Sequence, residues 1–238
     1  MKILALSVCC LFPLILHAAD ESSKPGQWAG EGELGFISTS GNSDSETLTA
    51  NLGVSRKTNI WGHAASLKII QAETDDVESA DSLELLGRSE YTLGDKSYLF
   101  GQLRYEDDEF SGFDYQTSLS LGIGSRVIDE KGQFLDLSTG LGVRRLKESE
   151  TNETEEDAIV SAKLVYEKNL SETTTFNQLL SLETGRENTH TESETSVKFA
   201  IDGNLSARIA YLVKRNSEVP ADTEKSDRIT TISLLYGF

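Results

Sequence analysis

Two histidines, His63 and His190, and two acidic runs are the parts of this sequence whose residue types could do chemistry. Hydrolysis by a Ser nucleophile needs a histidine as general base, itself oriented by a carboxylate. His63 sits in "WGHAASLKII", sharing alternate positions with Trp61, Leu67 and Ile69 beside a short turn at residues 57–59. It is expected to be a hydrogen-bonded member of an interfacial belt. His190 sits in "ENTHTES", an acidic stretch read as a loop with the histidine solvated; a protease at that rim is the enzymatic alternative. The runs "EDDE" (Glu106 to Glu109) and "ETDDVESAD" (Glu73 to Asp81) offer the oxygen ligands that hard cations prefer, without the spaced Asp and Gly of a dedicated calcium loop. They read as solvated outer surface, able to hold divalent cations loosely. No catalytic residue, cofactor or metal site is assigned, and the chain is read as a non-enzyme.

The charge balance removes another class of function. With 22 Lys and Arg against 39 Asp and Glu the net charge is −17, so no nucleic-acid partner is expected, since phosphate binding needs basic surface. The start, Met1-Lys2, then an apolar run from Ile3 to Leu16, then His17-Ala18-Ala19, has the build of a secretory signal over residues 1–18, cut after Ala18 or Ala19. Cys9 and Cys10 both fall inside it, which leaves no disulfide framework or thiol chemistry to propose. Leu6-Ser7-Val8-Cys9 does not read as a lipoprotein site, because Val8 is too large and an apolar run would remain after cleavage. Residues 19–29 are expected to be a short periplasmic segment, too short to be an exported passenger or its linker.

Beyond Asp20 no apolar run is long enough for a membrane helix, and the dominant signal is alternation with period two. In "FDYQTSLSLGIGSRV", Phe113, Tyr115, Thr117, Leu119, Leu121, Ile123 and Val127 share one parity, while Asp114, Gln116, Ser118, Ser120, Gly122, Gly124 and Arg126 share the other. Successive strand side chains point to opposite faces, so this is a strand with one apolar and one polar face. Residues 133–145, 158–167 and 204–215 repeat the pattern. About twelve such segments follow Gly30, each roughly 18 residues with its connection, against about 9–11 residues for a tilted membrane strand. Connections alternate between short turns, such as Asp129 to Gly132 and Asp202 to Asn204, and longer acidic stretches, such as Glu73 to Asp81, Lys147 to Asp157 and Arg186 to Glu192.

These features predict an all-β fold over residues 30–238: a closed antiparallel up-and-down transmembrane β-barrel of about 12 strands, in the outer membrane of a Gram-negative bacterium. An even strand number places both termini at the periplasmic end. The chain ends "ITTISLLYGF", with Thr230, Ile232, Leu234, Tyr236 and Phe238 on the lipid face. Its partners would be outer-membrane lipid and lipopolysaccharide.

Two resemblances add to this reading. The terminal Phe238, with Tyr236 two residues before it, resembles the assembly signal of bacterial outer-membrane barrels, which implies the barrel-assembly machinery as a partner. "GELGFISTSGNSDSETLTANL", Gly32 to Leu52, with its Thr39-Ser40-Gly41-Asn42-Ser43 turn, resembles the opening hairpin of the salt-induced outer-membrane protein family. That family implies a barrel associated with salt and supplies no catalytic residues. Physically, Gly41-Asn42 provides the positive φ angles a tight hairpin demands.

Function would then lie on the inward face, which parity assigns to Lys68, Glu84, Arg88, Glu90, Arg104, Glu106, Arg126, Asp136, Arg144, Lys163, Glu167, Glu183, Lys198, Arg208 and Lys214. Of these, Lys68, Glu84, Arg88, Arg104, Arg126, Arg144, Lys163, Lys198 and Arg208 are the candidate lumen-lining set. Two functions follow: a narrow passive channel for small hydrophilic solutes or cations, or a non-conducting structural barrel plugged by salt bridges, with acidic cation-bridging loops. A twelve-stranded bore is intermediate between filled and open barrels and does not decide. Inward Gly122, Gly124, Gly140 and Gly142 leave either open volume or a curved wall.

Overall fold

The computed structural model describes residues 26–39, 45–75, 77–108, 113–148, 153–186, 188–219 and 224–238; the signal segment and the Gly41-Asn42 turn lie outside them. Its strands are β1 (Trp28–Thr39), β2 (Ser45–Lys57), β3 (Trp61–Thr74), β4 (Val77–Thr92), β5 (Ser97–Asp108), β6 (Phe113–Glu130), β7 (Gln133–Glu148), β8 (Thr154–Asn169), β9 (Thr174–Thr184), β10 (Thr189–Asp202), β11 (Leu205–Asn216) and β12 (Ser226–Gly237). Each pairs antiparallel with its sequence neighbour, and β12 returns to β1 to close a twelve-stranded barrel. Closure is what membrane insertion demands, because hydrocarbon offers no partner to a free sheet edge.

Alternation sets the two faces. Leu119, Leu121 and Ile123 of β6 are exposed on the outside, while Gln116, Ser118 and Ser120 are buried inside. Leu141 on the neighbouring β7 is 71% exposed, a value that suits lipid rather than water. At the short-turn end Trp61 stacks on His63 (ring centroids 5.8 Å apart) and meets Tyr91 edge-on at 5.0 Å. His63 Nδ1 lies 3.0 Å from Ser89 Oγ, so the ring is a hydrogen-bonded part of this aromatic belt. Tyr105 and Tyr115 stack at 6.4 Å toward the opposite end.

The connections differ from expectation at that opposite end. Short turns fall where expected, at 58–60, 93–96, 131–132, 170–173 and 203–204. Two of the stretches expected as longer acidic connections, Glu106 to Gly112 and Asn216 to Asp227, remain mostly connection, at 109–112 and 217–225, but three others are largely strand. β3 runs to Thr74 and β4 begins at Val77, so Glu73 to Asp81 is a tight hairpin; Lys147 to Asp157 and Arg186 to Glu192 shrink to connections at 149–153 and 185–188. Cross-strand pairing explains this, since Arg144 faces Asp157 and Arg145 faces Glu156, and opposite charges on paired positions support a ladder. Charge was read as a sign of loop where it is a sign of pairing. Phe113 also departs from expectation. Irregularities at Glu106/Asp108 and Phe113/Tyr115 rotate it from the lipid face to a buried position, because a bulge breaks strict alternation.

Candidate functional site: the charged lumen

Every second residue of each strand projects into a bore about which the ring of strands closes. The ladder brings Lys68, Glu84, Arg88, Arg104, Arg126, Arg144, Lys163, Lys198 and Arg208 to this inward side, each opposite an inward partner on a neighbouring strand. Most of these cations are engaged by acids, and several of the ties cross the bore.

The layer nearer the end opposite the short turns is the most closed. Arg104 Nε donates to Glu84 Oε2 at 2.8 Å and Nη2 to Glu106 Oε2 at 2.5 Å. Lys214, on β11, reaches across to β5 and β4, with Nζ 2.6 Å from Glu106 Oε1, 3.2 Å from Asp108 Oδ2 and 3.2 Å from Ser82 Oγ. β5 and β11 stand on opposite sides of the ring, so this ion pair spans the bore. Glu106 is 2% exposed, and an acid so buried is tolerable only between its two cations.

His190 belongs to this layer, not to a solvated loop. It lies on β10 at 4% exposure, with Nε2 3.2 Å from Arg104 Nη2 and Nδ1 3.0 Å from Asn216 Oδ1. A guanidinium can only donate, so Nε2 accepts and Nδ1 carries the hydrogen given to Asn216. The ring's lone pair is thereby occupied by Arg104 and is not presented to a serine. Asn188 extends the web: Nδ2 donates to Asn216 Oδ1 at 2.9 Å, and its main-chain oxygen accepts from Arg144 Nη2 at 2.8 Å.

A second group ties β3, β10, β11 and β1. Lys68 Nζ is 3.4 Å from Glu192 and 3.7 Å from Glu194. Arg208 pairs with Glu33 at 2.8 Å and with Glu194, while Lys198 meets Glu31 at 3.1 Å. Glu33 also accepts from Asn51 at 2.9 Å and from Ser233. Glu31, Glu33, Glu192 and Glu194 were missed as lumen residues, although Glu31 and Glu33 share the parity opposite to Leu34 and Phe36. Asn188 carried no local signal, because its side-chain partners are 28 residues or more away in sequence.

The third group fills the short-turn side. Arg88 donates through Nε to Glu90 Oε1 at 2.9 Å, through Nη1 to Gln102 at 3.0 Å and through Nη2 to Tyr98 Oη at 3.2 Å. Its guanidinium carbon lies 3.9 Å from the centre of the Phe100 ring. Tyr98 donates to Asp136 Oδ1 at 2.6 Å, and Arg126 Nη2 reaches Glu90 Oε2 at 2.9 Å. The inward glycines lie under these rings. A Cβ on Gly124 would stand 2.2 Å from Tyr98, and one on Gly122 would stand 2.7 Å from Phe100. The room left by glycine is therefore occupied, and Gly122, Gly124 and Gly140 do not signal open volume.

Along β6, β7 and β9 the inward polar groups are less satisfied. Gln116, Ser120, Arg144 and Glu183 are buried, yet the Gln116 amide, Ser120 Oγ, Arg144 Nε and Nη1, and Glu183 Oε2 have no protein hydrogen-bond partner. Among the described residues no cluster of His, Cys, Asp and Glu has a metal-holding arrangement.

Known proteins resemble this barrel in fold and, in one case, in sequence. The chain is 30% identical over 224 residues to the uncharacterized protein YdiY of Escherichia coli K12, covering 92% of this chain and 86% of that one. Among solved structures it resembles the COG4313 outer membrane channel of Pseudomonas putida F1 (TM-score 0.56, 10% identity, 96% of this chain and all of that one). It also resembles the translocator domain of the autotransporter NalP of Neisseria meningitidis (TM-score 0.50, 15% identity, 92% and 90%) and the NanC porin (TM-score 0.50, 11% identity, 89% and 98%). At such identities the likeness shows the fold, that of bacterial outer-membrane barrels: a channel, a translocator domain and a porin. Residues 32–238 match the family described as protein of unknown function DUF481, and the chain belongs to that family.

Proposed function

We propose that this protein is an outer-membrane barrel whose lumen is shut at rest by ion pairs that bridge its walls. The observation that carries this reading is Lys214 on β11 paired with Glu106 and Asp108 on β5, across the full bore, with Arg104 and His190 packed beside it. Such a layer excludes solutes and holds opposite walls together. Outer-membrane lipid, lipopolysaccharide and the barrel-assembly machinery are the partners this reading carries, with divalent cations loosely held at the acidic rim. The association with salt rests on the family resemblance of the first hairpin; an ion-pair layer supplies a physical handle for it, since ionic strength weakens the partly exposed pairs first.

A second reading, a narrow passive channel that favours cations, is supported by the unsatisfied polar side chains of Gln116, Ser120, Arg144 and Glu183, which suit a wetted strip along one wall. Planar-bilayer recording of the refolded protein separates the two. The shut barrel predicts silence from the wild-type protein and steps of conductance from Lys214→Met, which removes the strut. Steady conductance from the wild-type protein overturns it in favour of the channel, and the reversal potential in a salt gradient then reports whether cations are preferred.

A further inference from the structure

Pairing around the ring is uneven at one seam. β1 pairs with β2 along its whole length, from Trp28↔Arg56 to Thr39↔Ser45, and β12 pairs with β11 from Ser226 to Tyr236. Between β1 and β12 the ladder begins with Gly30 and Phe238 exchanging main-chain bonds, and stops at Gly35↔Ser233. The register would next set Phe36 against Ile232, Ile37 against Thr231, Ser38 against Thr230 and Thr39 against Ile229. None of these pairs forms.

The depth of the gap gives it meaning. A barrel strand crosses the bilayer in about 9–11 residues. Counted from Phe238, the last paired residue lies near the midplane and the unpaired stretch of β12 lies in the outer leaflet. Side chains agree, because Phe36 and Ile232 are 58% and 56% exposed on the lipid side. An unpaired strand edge at that depth is expensive unless something sits against it.

Behind the gap is a cavity of about 410 Å³, bounded by Thr47 of β2, Ile70 of β3, Ser82 of β4, Lys214 of β11, and Asp227 and Thr230 of β12. None of its described lining residues belongs to β1, the strand that stands between β12 and β2 in the ring. Lys214, tied to Glu106 and Asp108, forms its floor. The cavity is thus closed below by the ion-pair layer and flanked by the unzipped seam.

We propose that the seam between β1 and β12 is a lateral portal to the outer leaflet, which admits one amphiphile with an uncharged, hydroxyl-rich head. The head would rest in the cavity, against Thr47 and Ser82, while its alkyl chain leaves past Thr230 between Phe36 and Ile232. The apolar members of the lining, Ile70, Ala72 and Ile229, suit the first carbons of that chain. Glu73, Asp108, Glu224 and Asp227 outnumber Lys214 and Arg228 around the cavity, so an anionic head is disfavoured. Because the portal lies on the outer side of the Lys214 layer, it stands whether or not the lumen conducts.

Two measurements on the full chain in liposomes, with Cys9 and Cys10 replaced by serine, test the portal. First, Leu34→Cys with Leu234→Cys probes a formed pair, and Phe36→Cys with Ile232→Cys probes the gap. The first pair is expected to oxidise within the chain at least tenfold faster. Equal rates show a seam zipped shut, and a disulfide between chains assigns the edge to a second copy; either overturns the portal. Second, an alkyl maltoside with a photoreactive diazirine beside its head is expected to label Ile70, Ala72 and Ile229, several-fold more than a fatty acid with the same group. Labelling confined to the outer belt at Leu34, Leu52 and Leu234 overturns binding in the cavity, and equal labelling by the fatty acid overturns the choice of head.

Discussion

At the scale of single residues, the lumen depends on buried charges that are tolerable only in company. Glu106 has two cations, Arg104 and Lys214, and hardly any solvent. Removing one partner of a buried pair leaves an uncompensated charge, at a cost of about 3–5 kcal/mol, whereas replacing both by apolar groups is often neutral. Arg104 still neutralises part of Glu106 here, so Lys214→Met is expected to destabilise the barrel by about 3 kcal/mol, at the lower end of that range. Lys214→Met with Glu106→Gln is expected to recover at least half of that loss. Urea unfolding in liposomes, read through the two tryptophans, measures both variants; a double variant less stable than the single would show that Glu106 is held by something other than these charges. The same residues explain what parity could and could not reveal. Glu106 was read both as inward and as part of the solvated run Glu106 to Glu109, and its burial removes the second reading; Lys214 was legible as inward, since charge at alternate positions has no other place in a membrane strand. Their pairing was not, because Nζ and carboxylate come from strands 108 residues apart in sequence.

At the scale of elements, twelve strands, their antiparallel order and their short turns were legible from alternation and from Gly and Asn placement. Parity is ambiguous on β3 and β5 for a physical reason. Ile70, Tyr98 and Phe100 point inward and are buried, so apolar residues occupy both faces of these strands. A water-filled bore would have kept those positions polar; the inward rings show that this part of the lumen is packed like a core. The outer hairpins were misread because Ser, Thr and Glu look like loop residues until their cross-strand partners are known. The connection at 185–188 is the clearest case. Asn188 Oδ1 accepts from Ser217 N at 2.9 Å and from Glu218 N at 3.3 Å, so one side chain docks the following hairpin end onto its neighbour. Asn188→Ala removes these bonds, worth about 1–3 kcal/mol where the main-chain donors are left buried. The expected result is faster cleavage within residues 217–225 in limited proteolysis, with the folded barrel still resistant; unchanged cleavage would mean that the hairpin is held by its ladder alone.

At the scale of the whole molecule, a barrel is only as closed as its weakest seam, and here that seam is short. Between β1 and β12 the paired stretch ends on Gly30 and Phe238, with Gly30 N donating to Phe238 O at 2.6 Å and Phe238 N donating to Gly30 O at 2.7 Å. The Phe238 ring covers Gly30 from the lipid side, where a Cβ on Gly30 would come within 2.3 Å of it. Phe238 therefore has two separable duties: its main chain closes the ring, and its side chain, with Tyr236, is proposed as the signal read by the assembly machinery. Deleting Phe238 removes two bonds from this short ladder. Phe238→Ala keeps both bonds and loses only the ring. Refolded in detergent without cellular factors, the deletion is expected to lose most of the compact, fast-migrating form seen on unheated gels, while Phe238→Ala keeps it. Expressed in cells, both are expected to fall to a small fraction of the wild-type level in the outer membrane. Normal assembly of Phe238→Ala in cells would remove the signalling role and leave Phe238 as the clasp of the barrel alone.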